Sequence, residues 1–64
     1  MKPEPLDVWA AKAAALLAQR IGAPQLWEAG IATFLRREVL RIGDSDSTRP
    51  FVLAMTAHRN GLDL

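Results

Sequence analysis

From Asp7 to Pro24 the chain reads DVWAAKAAALLAQRIGAP, and the fold class follows from this stretch. Val8 through Ile21 holds six alanines together with Leu16 and Leu17, residues that give up little conformational freedom on entering a helix. Asp7 offers a side-chain acceptor to the free amides of a first turn. Gly22 suits the left-handed backbone of a helix end. Pro24 suits the first turn of the next element, where its missing amide would have no partner anyway. A helix over 7–21 and a tight corner into a second helix are therefore expected. Upstream, Met1-Lys2-Pro3-Glu4-Pro5 cannot extend the helix, because each proline lacks an amide proton and drives its predecessor toward extended geometry. Residues 1–6 are expected to be a flexible arm and 7–64 a single helical domain.

Downstream, Trp27, Ile31, Phe34, Leu35, Val39 and Ile42 recur at three- and four-residue steps and gather on one face at about 100° per residue. This predicts a second helix over 24–42. Gly30 lies inside it, where it permits a kink or the close approach of another backbone. Gly43 to Thr48 is a loop by composition, with Ser47 or Thr48 capping a third helix over 49–60 that Asn60-Gly61 ends. The tail Leu62-Asp63-Leu64 alternates apolar and acidic, as the start of a further element would. The reading is an all-α three-helix bundle with a helix-turn-helix-like corner between the first two helices.

Sixty-four residues make one small core, which buries only about 60% of the surface its unfolded chain exposes. Disulfides are excluded by the lack of cysteine, and a lone His58 does not make a metal site. An apolar fraction of 50% is high for so small a chain, so apolar surface should be left for a partner. Eight Lys and Arg against seven Asp and Glu give a net charge of +1, which drives the molecule onto neither nucleic acid nor an anionic membrane. Val8 to Ala18 resembles a signal h-region only superficially, because Glu4 and Asp7 precede it and Lys12 interrupts it. No apolar run reaches transmembrane length, and a cytoplasmic protein without membrane contact is expected.

Within helix one, Trp9, Ala13 and Leu16 line one side and Val8, Ala11, Ala15 and Ala18 an adjacent one. A helix this apolar around its circumference is expected at the centre of a bundle, with Ala11, Ala15 and Ala18 able to form an isologous dimer seam. In helix two, Glu38 projects within the apolar arc beside Phe34 and Ile42. It is expected to snorkel out or pair with Arg37 or Arg41. Phe51, Met55, His58 and Leu62 form the expected inner face of helix three, with His58 a packed imidazole within reach of Glu38. Leu26 and Leu40 project away from the main helix-two face, and Val52 and Leu53 away from the Phe51 side.

Arg36, Arg37, Arg41, Arg49 and Arg59 raise the question of phosphate contacts, which need only fixed positive charge within reach. Leu17-Ala18-Gln19-Arg20-Ile21-Gly22-Ala23 resembles the first half of a helix-turn-helix, with an alanine at the crossing and a glycine at the turn. The second half departs from that pattern. Six residues after the glycine it needs an aliphatic residue and finds Glu28, and the positions that would read bases are Leu26 and Trp27. Asp44, Asp46 and Thr48 alternate as in a calcium loop, but the sixth position is Arg49 instead of Gly and the twelfth is Met55 instead of Glu, so capping explains them better. No phosphate loop, carboxylate pair or activated nucleophile can be assembled.

The expected function is non-catalytic: a small regulatory or adaptor protein that binds a protein partner or itself. Leu26, Trp27, Leu40 and Leu53 form the apolar contacts and Arg37 and Arg41 the rim. The alternative is a helix-turn-helix transcriptional regulator using Arg36, Arg37, Arg41, Arg49 and Arg59 on DNA. No cofactor, metal or small-molecule substrate is expected.

Overall fold

The computed structural model describes residues 3–63. It is an all-α bundle: α1 spans Leu6–Ile21, a 3-10 turn spans Gln25–Trp27, α2 spans Glu28–Ile42 and α3 spans Thr48–Arg59. Met1, Lys2 and Leu64, at the ends of the expected arm and tail, lie outside the described residues.

α1 begins one residue before Asp7. Pro5 is its N-cap, with its carbonyl accepting from the Trp9 amide at 3.0 Å. Asp7 sits inside the first turn, caps nothing, and meets Arg36 of α2 at 3.2 Å. There its charge still complements the helix dipole. The far end is as the sequence requires: Gly22 has φ +71°, its amide donates to the Gln19 carbonyl and the Ala23 amide to that of Ala18. This pair of bonds closes the helix in a Schellman turn. α3 ends the same way around Gly61 at φ +75°, with the Gly61 amide on the His58 carbonyl and the Leu62 amide on that of Ala57.

The expected second helix is divided. The break falls after Trp27, where the 3-10 turn gives way to α2, and not at Gly30. A Cβ added at Gly30 would meet nothing within 4 Å, so no backbone comes close there. The loop before α3 also differs from expectation. Ser47 is the N-cap residue, yet its side chain caps nothing. Ser45 Oγ accepts from the Thr48 amide at 3.2 Å, and the Thr48 hydroxyl donates to the Gly43 carbonyl at 2.6 Å. Ser45 therefore does the work of a cap from three residues upstream.

The core joins Ala10, Ala13, Ala14 and Leu17 of α1 to Leu35 and Val39 of α2 and Val52 and Ala57 of α3. The α1 residues, with Ala18, form a single stripe at helical spacing. α1 is therefore not surrounded as its composition suggests: Val8, Ala11 and Leu16 face water, and Ala18 of the proposed dimer seam is already buried against its own bundle. α3 turns a different face inward from the one its large residues suggest. Val52, Thr56 and Ala57 are buried and Leu53 packs against them, while Phe51 and His58 are exposed. The cause is threonine. Thr56 buries its methyl because its hydroxyl donates to the Val52 carbonyl at 2.8 Å, and Thr48 is satisfied in the same way by Gly43. A satisfied hydroxyl carries little burial penalty, so residues that look polar complete the inner face.

Residues just before α1 meet a side chain from the start of α3. Arg49 is buried, grips both carboxylate oxygens of Asp44 at 2.8 and 2.9 Å, donates to the Glu4 carbonyl, and stands over the Trp9 ring at 5.8 Å from its centroid. Glu4 also pairs with Lys12. Glu4, in the described part of the expected arm, thus contacts both α1 and α3.

Candidate protein-binding groove

Because Leu35 and Val39 centre the buried stripe of α2, Trp27 and Phe34 fall at its edge and are only partly covered. Gly22 turns the chain sharply after Ile21, so the 3-10 turn lies beside the end of α1. Between them opens a groove of about 590 Å³. Leu17 and Ile21 come from α1, Leu26 and Trp27 from the 3-10 turn, and Gly30, Ile31 and Phe34 from α2. Thr56, Arg59 and Asn60 close it from the end of α3. Leu26 is 85% exposed and Trp27 56%, so the lip of this groove is apolar and stands in water.

The polar atoms of the lining are mostly engaged. The Thr56 hydroxyl is spent on Val52, and the Asn60 side-chain amide donates to the Thr56 carbonyl at 2.8 Å. Arg59 is the one charged residue in the lining and makes no ion pair among the described residues. His58, exposed, is not part of the lining.

Of the residues singled out from the sequence, Leu26 and Trp27 meet in this groove. Leu40 is 65% exposed but belongs to the outer side of α2, and Leu53 is half-buried against the core. Arg37 and Arg41 are exposed without lining it. Sequence reading missed Leu17, Ile21, Phe34 and the groove role of Arg59. Ile21 and Phe34 carried a signal, since each stands beside a predicted bend or at the margin of a predicted face. Leu17 and Arg59 carried none, because only folding brings the ends of α1 and α3 to the 3-10 turn.

The five arginines do not form one basic surface. Arg36 meets Asp7 and Thr33, Arg41 grips Glu38 at 3.1 and 3.3 Å, and Arg49 is buried on Asp44. Arg37 and Arg59 make no ion pair among the described residues. Glu38 thus takes the Arg41 pairing expected for it, and not His58. The hydrogen bond from Arg41, with weaker attraction from Arg59 and Arg37, holds the Glu38 carboxyl below its ordinary value against a desolvation that pushes the other way. Asp44 is held below its ordinary value chiefly by its hydrogen bonds from Arg49.

No cluster of His, Cys, Asp and Glu able to hold a metal ion occurs among the described residues, nor any helix long and apolar enough to cross a membrane. Comparison with protein-family models, curated proteins and solved structures found no match.

Proposed function

We propose that this chain is a non-catalytic, cytoplasmic protein-binding module, a small regulatory or adaptor protein whose working surface is the groove between α1, the 3-10 turn and α2. The observation that carries the reading is the apolar lip: Leu26 and Trp27 stand largely in water beside a concave floor of Leu17, Ile21, Ile31 and Phe34. Exposed apolar area of this kind, next to a concavity, gains most from being covered by another macromolecule. The satisfied Thr56 and Asn60 leave no nucleophile or base poised in the lining, which favours binding over catalysis. Leu53, packed on the core, and Leu40, on another side, drop out of the contact set.

Binding to DNA is the weaker alternative. Arg36, Arg41 and Arg49 are occupied by carboxylates, and a phosphate would have to displace them.

Sedimentation of the purified chain, alone and with a generic duplex at two salt concentrations, separates these readings. An apolar groove should respond little to salt, whereas phosphate binding falls steeply as salt rises. Tight duplex binding that vanishes at high salt and survives Leu26→Glu would overturn the groove reading.

A further inference from the structure

Resting on the groove reading, we infer that the occupant is an amphipathic helix of a partner protein carrying a carboxylate that meets Arg59. Three observations select it.

The first is charge. Arg59 is the single formal charge in a lining otherwise made of uncharged side chains, and it has no ion pair among the described residues. The neighbouring carboxylate on α2, Glu38, is committed to Arg41 through two hydrogen bonds. An occupant that covered Arg59 without supplying a carboxylate would desolvate a cation that makes no hydrogen-bonded ion pair and whose neighbouring carboxylate is already held by Arg41, which is unfavourable. A basic segment would be repelled.

The second is size. A small apolar acid could fill the floor, but Leu26 at 85% and Trp27 at 56% exposure rise above it and would remain wet. Covering lip and floor together takes a macromolecular surface. The third is shape. The walls are helical segments and no strand occurs among the described residues to extend a sheet, so the groove suits a helix that inserts residues at i, i+3 or i+4, and i+7.

The test uses the full chain as bait for a displayed library of random peptides about 16 residues long, enough for four or so helical turns. The expected selection is enriched in apolar residues at helical spacing and in Asp or Glu. Synthetic versions of the selected peptides should lose roughly tenfold or more in affinity on Arg59→Gln. The same factor should be lost when the peptide carboxylate becomes an amide, and the two losses should not add. Arg59 is exposed at the end of α3, so an unchanged thermal midpoint serves as the folding control. Selected peptides with no acidic bias, or indifferent to Arg59→Gln, overturn the carboxylate inference and leave the groove reading standing. Selection that yields no binder, or binders insensitive to Leu26→Glu and Trp27→Ala, overturns both. Concentration-dependent dimerisation abolished by Leu26→Glu assigns the groove to a second copy and overturns the inference.

Discussion

Arg49 shows how one side chain changes role between sequence and fold. As a letter beside Asp44, Asp46 and Thr48 it reads as a surface cation; in the bundle its planar fork satisfies Asp44, Glu4 and the face of Trp9 at once. A lysine offers no such fork. Arg49→Lys should therefore lower the thermal midpoint and speed amide exchange of the α2–α3 loop, with Asp44→Asn acting in the same direction and the two non-additive. The pair also sets an acid limit. A carboxyl whose folded value lies below its unfolded one stabilises the fold in full above the unfolded value, and that contribution is lost as pH falls through the folded value. For Asp44 the window opens at its ordinary 3.8 and extends downward, and for Glu38 at 4.5. The urea midpoint should hold above about pH 5 and fall on further acidification. The fall should be shallower in Asp44→Asn.

At the scale of the elements, the C-terminal ends of the helices and the inner face of α2 were legible, and the start of α2 and the inner face of α3 were not. Gly22 and Gly61 stop α1 and α3 where the sequence places them, because a left-handed residue is a local demand that glycine meets alone. Gly22→Ala should cost about 1 kcal/mol in chemical denaturation. Gly30 lies at an ordinary helical position with open space around its missing Cβ. Gly30→Ala should stabilise the protein by about 0.5–1 kcal/mol, while its methyl enters the groove lining and weakens binding there. The inner face of α3 was misread at Phe51, which is large yet exposed, and at Thr48 and Thr56, which contain oxygen yet are buried, whereas Met55 is half-buried and Leu62 packs against the core as expected. Thr56→Ser, which removes a buried methyl, should cost about 0.8 kcal/mol. Phe51→Ala, at a 58% exposed position, should shift stability by less than about 0.5 kcal/mol. The reverse order would restore the face read from the sequence.

For the whole molecule the deciding quantity is how much apolar surface so short a chain can hide. Its four largest fully buried side chains are Leu17, Leu35, Val39 and Val52, and alanine supplies much of the rest of the core. Leu26, Trp27, Leu40 and Phe51 remain more than half exposed. Leu26→Glu should leave the far-ultraviolet dichroism and thermal midpoint close to wild type, since Leu26 is 85% exposed, and should abolish binding at the groove. Leu40→Glu, on another side, should leave both unchanged. A loss of binding in Leu40→Glu alone would move the working surface to the outer side of α2.

The sequence by itself determined the all-α class, the number of helices and where α1 and α3 stop, because propensity, proline and glycine act within a turn or so of their own position. It also determined that Leu26 and Leu40 lie off the core, which needs only the helical repeat. Tertiary structure alone decided which apolar residues meet. The groove draws its lining from four segments, and the pairing of Arg49 with both Asp44 and Glu4 depends on the start of α3 coming within reach of the residues before α1. Burial of a threonine or an arginine is favourable only when its polar atoms find partners, and those partners come into being with the packed fold.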